Sequence, residues 1–318
     1  MKIIEKNFVF EGTEAVPSCH ASSVLVDDSG KKLVAYFAGT AEGERDVLIY
    51  CSRYENGKWS APYAVTPDGG VQHWNPVLFS DDGKTVTLFY KYSFPIADWY
   101  TRVMTSTDFG KTWTWPRELI EGDRSGGRGP VKNKPLRISN GNILAPGSTE
   151  RGPWRCFIDV FDGNSWEKCD IPVNVDSVGE VNVIQPTLWE SEPGHIHALM
   201  RSNRGRMYRS DSNDFGKTWC EIYQTDMPNP NAGFDCVRLS DGRIVLVCNP
   251  VGENFGERSP LSVFLSTDNG VTFTKALDLE TEQGCGEFSY PAIICHGDRL
   301  HVTYTYKRKK IVYLEISL

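Results

Sequence analysis

The sequence has no C-x-x-C pair, and its nine cysteines are odd in number and scattered singly, which points away from a disulfide framework and from a zinc site. They read as reduced thiols filling small core positions. Long apolar runs are missing as well. No stretch approaches a bilayer-crossing length, and Met1-Lys2-Ile3-Ile4-Glu5-Lys6-Asn7 carries charges where a signal peptide has its apolar core, so the expected location is the cytoplasm. Positive charge is in deficit, with 34 Lys+Arg against 41 Asp+Glu. Such a chain has no field to draw nucleic acid or an anionic membrane, and neither is expected as a partner. An anionic ligand would have to be held by local cations. No run has a helical period, and no metal-ligand cluster or cofactor motif stands out, so no metal and no cofactor is expected.

What the sequence does have is strand formers and turn residues: 29 Gly, 18 Pro, 9 Trp, 13 Tyr and 15 Phe in 318 residues. It also repeats itself. Ser106-Thr-Asp108-Phe-Gly110-Lys-Thr-Trp113, Ser212-Asn-Asp214-Phe-Gly216-Lys-Thr-Trp219 and Ser266-Thr-Asp268-Asn-Gly270-Val-Thr-Phe273 share one pattern, and weaker copies end at Trp59 and Trp166. The closing aromatics Trp59, Trp113, Trp166, Trp219 and Phe273 are 53 or 54 residues apart. A period that constant marks a repeated supersecondary unit, and 318 residues hold six. Each unit divides into four short strand-like runs separated by Gly, Pro, Asn and Asp. The sequence therefore predicts one all-β domain over 1–318, a six-bladed β-propeller of four antiparallel strands per blade, its sixth blade completed by pairing the first strand with the last.

A propeller lines its central channel with the innermost strand of every blade. Counted from the aromatics, the channel positions are His20, Asn75, Asn133 or Lys134, Gln185, Asp235 and Tyr290. A second set, Asp46, Lys91, Glu150, Arg201 and Arg258, falls where the second strand or the following loop returns to the same face. One charge at a strand end is usually solvated. Several in register with polar inner-strand positions point to a binding site. Asn75 and Asp235 are also the kind of polar group that ties inner strands together.

The S-x-D-x-G-x-T-W pattern resembles the Asp-box of sialidases and related BNR-repeat proteins. The resemblance covers nearly the whole chain and implies a structural role for the box: the Asp accepts hydrogen bonds in a turn and the aromatic anchors it. It also implies site residues. Arg201 and Arg258 are similar in placement to the second and third arginines that grip a sugar carboxylate, Tyr290 to the nucleophile, and Asp46 to the acid/base residue, with Glu42 and Glu44 as neighbours able to take that part. The first arginine's place is held by His20 in Cys19-His20-Ala21-Ser22. The glutamate that activates the tyrosine falls near Gln185, which leaves Glu180, Glu287 or Glu150 as substitutes, and Glu287 is the carboxylate nearest Tyr290 in sequence.

The leading reading is a carbohydrate-active enzyme, an exo-acting sialidase-like glycosidase on a terminal acidic sugar, with Tyr290, Asp46, Glu287 and His20 as the catalytic set. Arg201, Arg258, Asn75, Lys91, Lys134, Glu150, Gln185, Asp235 and His73 would contact substrate. A second reading is a lyase that cleaves beside a uronic acid, with His20 or His73 and Tyr290 sharing base and acid roles. A third is a non-catalytic glycan-binding propeller in which Trp74, Trp99 and Trp154 stack on sugar rings.

Overall fold

The strand Lys32–Gly39 shows how the sequence builds the architecture. Leu33, Ala35 and Phe37 alternate with Val34, Tyr36 and Ala38, and a strand apolar on both faces has to be covered on both. The computed structural model, which describes every residue except Asp68, Phe94 and Cys285, covers it in that way. Leu33, Ala35 and Phe37 pack with Leu78, Val86 and Leu88 of the next sheet, while Val34, Tyr36 and Ala38 pack with Ala292, Ile311 and Tyr313 of the last one. Each such burial contributes about 1.5–3 kcal/mol, so the seams between sheets carry the stability.

Among the described residues the chain forms six antiparallel sheets, the blades of a six-bladed β-propeller. Blade one runs from Ser18–Val26 through Lys32–Gly39 and Leu48–Glu55 to Lys58–Trp59, with Tyr63–Ala64 as an extra short strand. Blade two is His73–Phe79, Val86–Tyr92, Tyr100–Ser106 and Arg117–Glu118. Blade three is Leu136–Arg137, Ile143–Thr149, Arg155–Phe161 and Trp166–Asp170, and blade four is Val183–Glu192, His195–Ser202, Arg206–Ser212 and Tyr223–Pro228. Blade five is Asp235–Arg238, Ile244–Cys248, Leu261–Ser266 and Thr274–Glu280. Blade six takes Phe288–His296, Arg299–Tyr306 and Lys310–Ser317 from the end of the chain and Lys2–Glu11 from its beginning, paired from Lys2 with Ser317 to Glu11 with Lys310. The expected closure is therefore present. Helix is confined, among the described residues, to the single turns Ile96–Asp98 and Val175–Val178.

The three strong repeats fold identically. In the first, Asp108 accepts from the backbone N–H and the hydroxyl of Thr112 at 2.8 and 2.7 Å and from Ser106 Oγ at 2.8 Å, while Ser106 Oγ accepts from Gly110 N. Asp214 and Asp268 repeat these bonds with Thr218 and Thr272. Hydrogen bonds from the Thr112 hydroxyl and N–H hold the Asp108 carboxyl below the usual carboxylate range. Phe109 and Gly110 are left-handed, at φ 56° and 84°, which is why a glycine closes the turn. These aspartates brace turns.

Candidate functional site

Four inner strands carry the same one-residue bulge, between His20 and Ser23, Trp74 and Val77, Ile184 and Thr187, and Ser289 and Ala292. The residue at its apex is left-handed in every case: Ala21 at φ 54°, Asn75 at 44°, Gln185 at 54° and Tyr290 at 53°. A bulge re-aims a side chain, and a non-glycine residue held at positive φ is a local cost that the surrounding structure has to support. In three of the four a proline follows, Pro76, Pro186 and Pro291, where the bulge leaves no ladder bond for an N–H to make. Blade one has only Ala21 at the apex, so His20 stands one residue ahead of the ring it was counted into. In blade three it is Lys132, at φ 70°, rather than Asn133 or Lys134 that is left-handed.

The bulges bring Tyr290 and Gln185 together under Arg201. Tyr290 Oη accepts from Arg201 Nη1 at 2.6 Å and from Gln185 Nε2 at 3.1 Å, and Gln185 Oε1 accepts from Arg201 Nη1 at 3.1 Å. A guanidinium offers only donors, so it turns the amide oxygen toward itself and leaves the phenol an N–H. Arg201 Nε donates to Asn231 Oδ1 at 2.7 Å, and Asn231 is held in turn by Asn254. The guanidinium carbons of Arg201 and Arg258 lie 5.8 and 5.7 Å from the Tyr290 ring centre. The His20 ring centre is 4.2 Å from it.

Glu287 divides its carboxylate between two arginines. Oε2 meets Arg258 Nη1 at 3.4 Å, and Oε1 accepts from Arg308 Nε at 2.5 Å and Ser289 Oγ at 2.7 Å. Arg308 bonds Glu42 through Nη1. Three guanidiniums thus gather at one mouth, and each keeps at least one nitrogen, Nη2 of Arg201, Arg258 and Arg308, that bonds nothing among the described residues. His20 is fully buried. Burial and the neighbouring Arg308, Arg258 and Arg201 hold its pKa well below the ordinary value, so the imidazole is neutral. Its Nδ1 meets Thr305 Oγ1 at 2.8 Å, and its Nε2 has no partner among the described residues. Burial, opposed by Arg201 and reinforced by Glu42, raises the pKa of Glu150.

Beneath the mouth the channel is closed. Lys132 Nζ donates to Asn133 Oδ1, Phe234 O and Pro291 O. Asn133 donates to the carbonyls of Gln185 and Pro186. A Cβ on Gly233 would come within 3.2 Å of Gln185 Oε1, Lys132 Cε and Tyr290 Cδ2, so any larger residue there would press on the floor of the site.

The remaining sequence candidates stand elsewhere. Lys134 and Asp235 form an ion pair at 2.9 Å, and Asp235 also accepts from Thr187 Oγ1 and Ile293 N, which ties four inner strands together. Lys91 is fully buried between blades two and three, its Nζ on Thr101 Oγ1 and the carbonyls of Gly127 and Arg128. His73 bonds Val47 O at 2.9 Å and stacks on Tyr90. Asn75 is buried at its bulge. Asp46 is committed to its own loop, accepting from Thr40 N at 2.8 Å and Thr40 Oγ1 at 2.5 Å, and it is Glu42 of the same loop that reaches Arg308. Glu180 is exposed beside Arg204. Trp99 is buried with its N–H on Gly126 O, Trp74 is buried against Phe37, and Trp154 stays partly exposed. Among the described residues no group of three or more His, Cys, Asp or Glu could hold a metal ion.

The residue that sequence reasoning missed is Arg308. It sits at the hairpin tip between the last two strands, where Lys307 and Arg308 are both left-handed at φ 52° and 58°. Lys307-Arg308-Lys309-Lys310 reads as a solvated turn. The one available signal was that a chain short of positive charge concentrates four cations in the blade that carries Tyr290.

Comparison with known proteins agrees with this architecture. A family model described as a BNR repeat-like domain matches residues 30–302. No curated protein sequence matches the chain. Among solved structures, a protein of unknown function from Dyadobacter fermentans superposes with a TM-score of 0.79 at 18% identity, over 99% of this chain and 98% of that one. The NanB sialidase of Streptococcus pneumoniae gives 0.69 at 12% identity, over 98% of this chain and 70% of its own. The Trypanosoma rangeli sialidase gives 0.74 at 14% identity, with 98% of this chain and 59% of the other covered. At such identities the likeness is one of fold.

Proposed function

The chain belongs to the BNR repeat-like domain family, and on that premise we propose that it is a carbohydrate-active enzyme of sialidase type, acting on a terminal acidic sugar, sialic acid or a relative. The observation that supports this reading most directly is the set of free guanidinium nitrogens on Arg201, Arg258 and Arg308 around Tyr290. A sugar carboxylate laid against them gains charge-assisted hydrogen bonds in a partly desolvated site. The ring it carries then lies over the phenol. In the hydrolytic reading Tyr290 Oη attacks the anomeric carbon as the glycosidic C–O bond breaks, its phenolic proton passing to the Glu287 carboxylate and returning when the intermediate is hydrolysed. Glu150, whose burial keeps its carboxyl protonated above the usual range, gives its proton to the leaving oxygen. Water then cleaves the glycosyl-tyrosine and returns both groups to their starting state.

A second reading, elimination beside a uronic acid, is favoured by Gln185. The amide offers the phenol a donor and no base, and His20 is neutral, adjacent and unpartnered at Nε2. With the carboxylate neutralised by the arginines, His20 takes the neighbouring C–H proton. Tyr290 protonates the departing oxygen, and a C=C bond forms as the C–O bond breaks.

Parallel incubation with sialyl-oligosaccharides and with uronate-containing oligosaccharides tests both. Free sialic acid is expected from hydrolysis, and ultraviolet absorbance of an unsaturated uronate from elimination. Equal affinity for acidic and matched neutral sugars would overturn the site assignment itself.

A further inference from the structure

Each seam between blades is filled by apolar side chains from both sides, with one exception among the described residues: between blades two and three the shared cluster is confined to the inner end, where Trp74 and Trp99 pack with Val131. Blades one and two, three and four, four and five, five and six, and six and one share mixed clusters. The cluster on the face that blade two turns toward blade three, Val77, Phe89 and Val103 with Phe79 and Leu119, contains no residue of blade three. Two features of the sequence cause this. Where blade one presents Leu33, Ala35 and Phe37 to its neighbour, blade two presents Thr85, Thr87 and Phe89. And blade three carries the turn Phe161-Asp-Gly163-Asn-Ser-Trp166 in place of an Asp-box.

In blades two, four and five the box itself plugs the seam with the preceding blade. A Cβ on Gly110, Gly216 or Gly270 would collide with Leu33, Leu144 or Trp189 of the preceding blade, whereas one on Gly163 would meet nothing within 4 Å. The box aromatics Phe109 and Phe215 pack against the clusters that their blades share with the preceding ones. At the seam of blades two and three the corresponding space is a solvent-open cleft of about 260 Å³, with Phe79, Phe89, Phe161 and Trp166 in its wall. An apolar cavity of about 150 Å³ already accommodates benzene.

The polar groups at the rim indicate the charge of the occupant. Asp81 is paired with Arg137, and Asp82 caps the turn through Lys84 N and Thr85 N. Arg117, which also lines the cleft, has no ion pair or side-chain hydrogen bond among the described residues. From the aromatic wall, the place a phenylalanine fills in sister seams, and the one unpaired guanidinium, we infer that this cleft binds an aromatic carboxylate. The site is independent of the sugar site on the axis, and neither depends on the other.

Displacement of anilinonaphthalene sulfonate from the folded protein tests it, with phenylbutyrate and phenylbutanol as a pair differing in the charged group. Saturable reporter fluorescence is expected, with phenylbutyrate displacing it about fivefold better than the alcohol, the size of an exposed ion pair. Thr87→Trp, which fills the cleft, is expected to abolish reporter binding, and Arg117→Ala, on the surface and harmless to folding, to bring the two competitors within about twofold of each other. Absence of saturable binding, a folded Thr87→Trp protein that binds unchanged, or an unchanged preference in Arg117→Ala would each overturn the inference.

Discussion

Two clusters of cations in this propeller, one in a seam and one at the mouth, spend their donors in opposite ways. At the inner seam of blades two and three, Lys91 gives its donors to Thr101 and two backbone carbonyls, and Arg128 meets Asp159, itself wholly buried and bonded to Gly129 N. At the mouth, Arg201, Arg258 and Arg308 share their partners and each keeps a nitrogen free. The first cluster is closed around contacts between blades: Lys91 spends its donors within the protein, and Arg128 turns Nε and Nη2 to Asp159 and the Trp166 carbonyl. The second is open, held in place by Glu287, Glu42 and Asn231 but not saturated. Cations hold both places, and what separates glue from recognition is what their donors face, seam carbonyls and Asp159 in one and the mouth around Tyr290 in the other.

The sharpest way to break the comparison is to open the closed cluster. Asp159→Ala leaves Arg128 without its carboxylate and Gly129 N without an acceptor, and a loss of about 3–5 kcal/mol in denaturant unfolding is expected, with turnover per folded molecule retained. If activity falls and stability does not, the seam is not structural glue. At the mouth the signs reverse. Arg201→Ala is expected to weaken binding of an acidic sugar by about 2–4 kcal/mol in calorimetry while affinity for a neutral sugar hardly moves. Next comes Tyr290→Phe, which keeps the ring between the arginines and removes only the hydroxyl. Turnover should drop by at least about a hundredfold, with ligand affinity within about twofold, and unchanged turnover would remove the phenol from the reaction.

The smallest effect is a slope. Burial pulls the ammonium groups of Lys91 and Lys132 down to about 7. Between pH 7 and the ordinary lysine value the unfolded chain holds protons that the folded one has released, so unfolding free energy rises with pH there, by at most about 1.4 kcal/mol per pH unit for each group. Urea melts at successive pH values read this directly. Lys91→Met should remove its share of the slope, and a flat wild-type profile would show that both amines stay charged in the fold.

The fold was legible because a propeller repeats. Five aromatics at constant spacing counted the blades, and the leftover strand-like ends implied the closure seen between Lys2–Glu11 and Lys310–Ser317. The site was legible only in part, since phase locates a residue along the axis and says nothing of how its hydrogen bonds are spent. Lys91 and Arg201 both follow an apolar strand in the sequence, yet Lys91 turns into the seam, where residues 127–129 supply carbonyls, while Arg201 turns to Tyr290. Asp46 and Glu42 share a loop, and only the fold of that loop, pinned by Thr40, decides which carboxylate extends to Arg308. Arg308 was hidden for a different reason: a hairpin tip has no phase, so position along the chain gives no hint that it leans over the axis. The bulges escaped notice because an alternating pattern reads the same with or without one extra residue, until pairing partners are known.

The pairing of the first strand with the last ties the chemistry to the integrity of the ring. Tyr290, Glu287 and Arg308 all come from the blade whose outer edge is supplied by residues 2–11, so peeling that strand away would strip cover from the hairpin that carries Arg308 and from the adjoining face of blade one. Loss of grip on an anionic sugar should therefore be an early sign of mechanical or thermal opening, audible well before the remaining five sheets come apart.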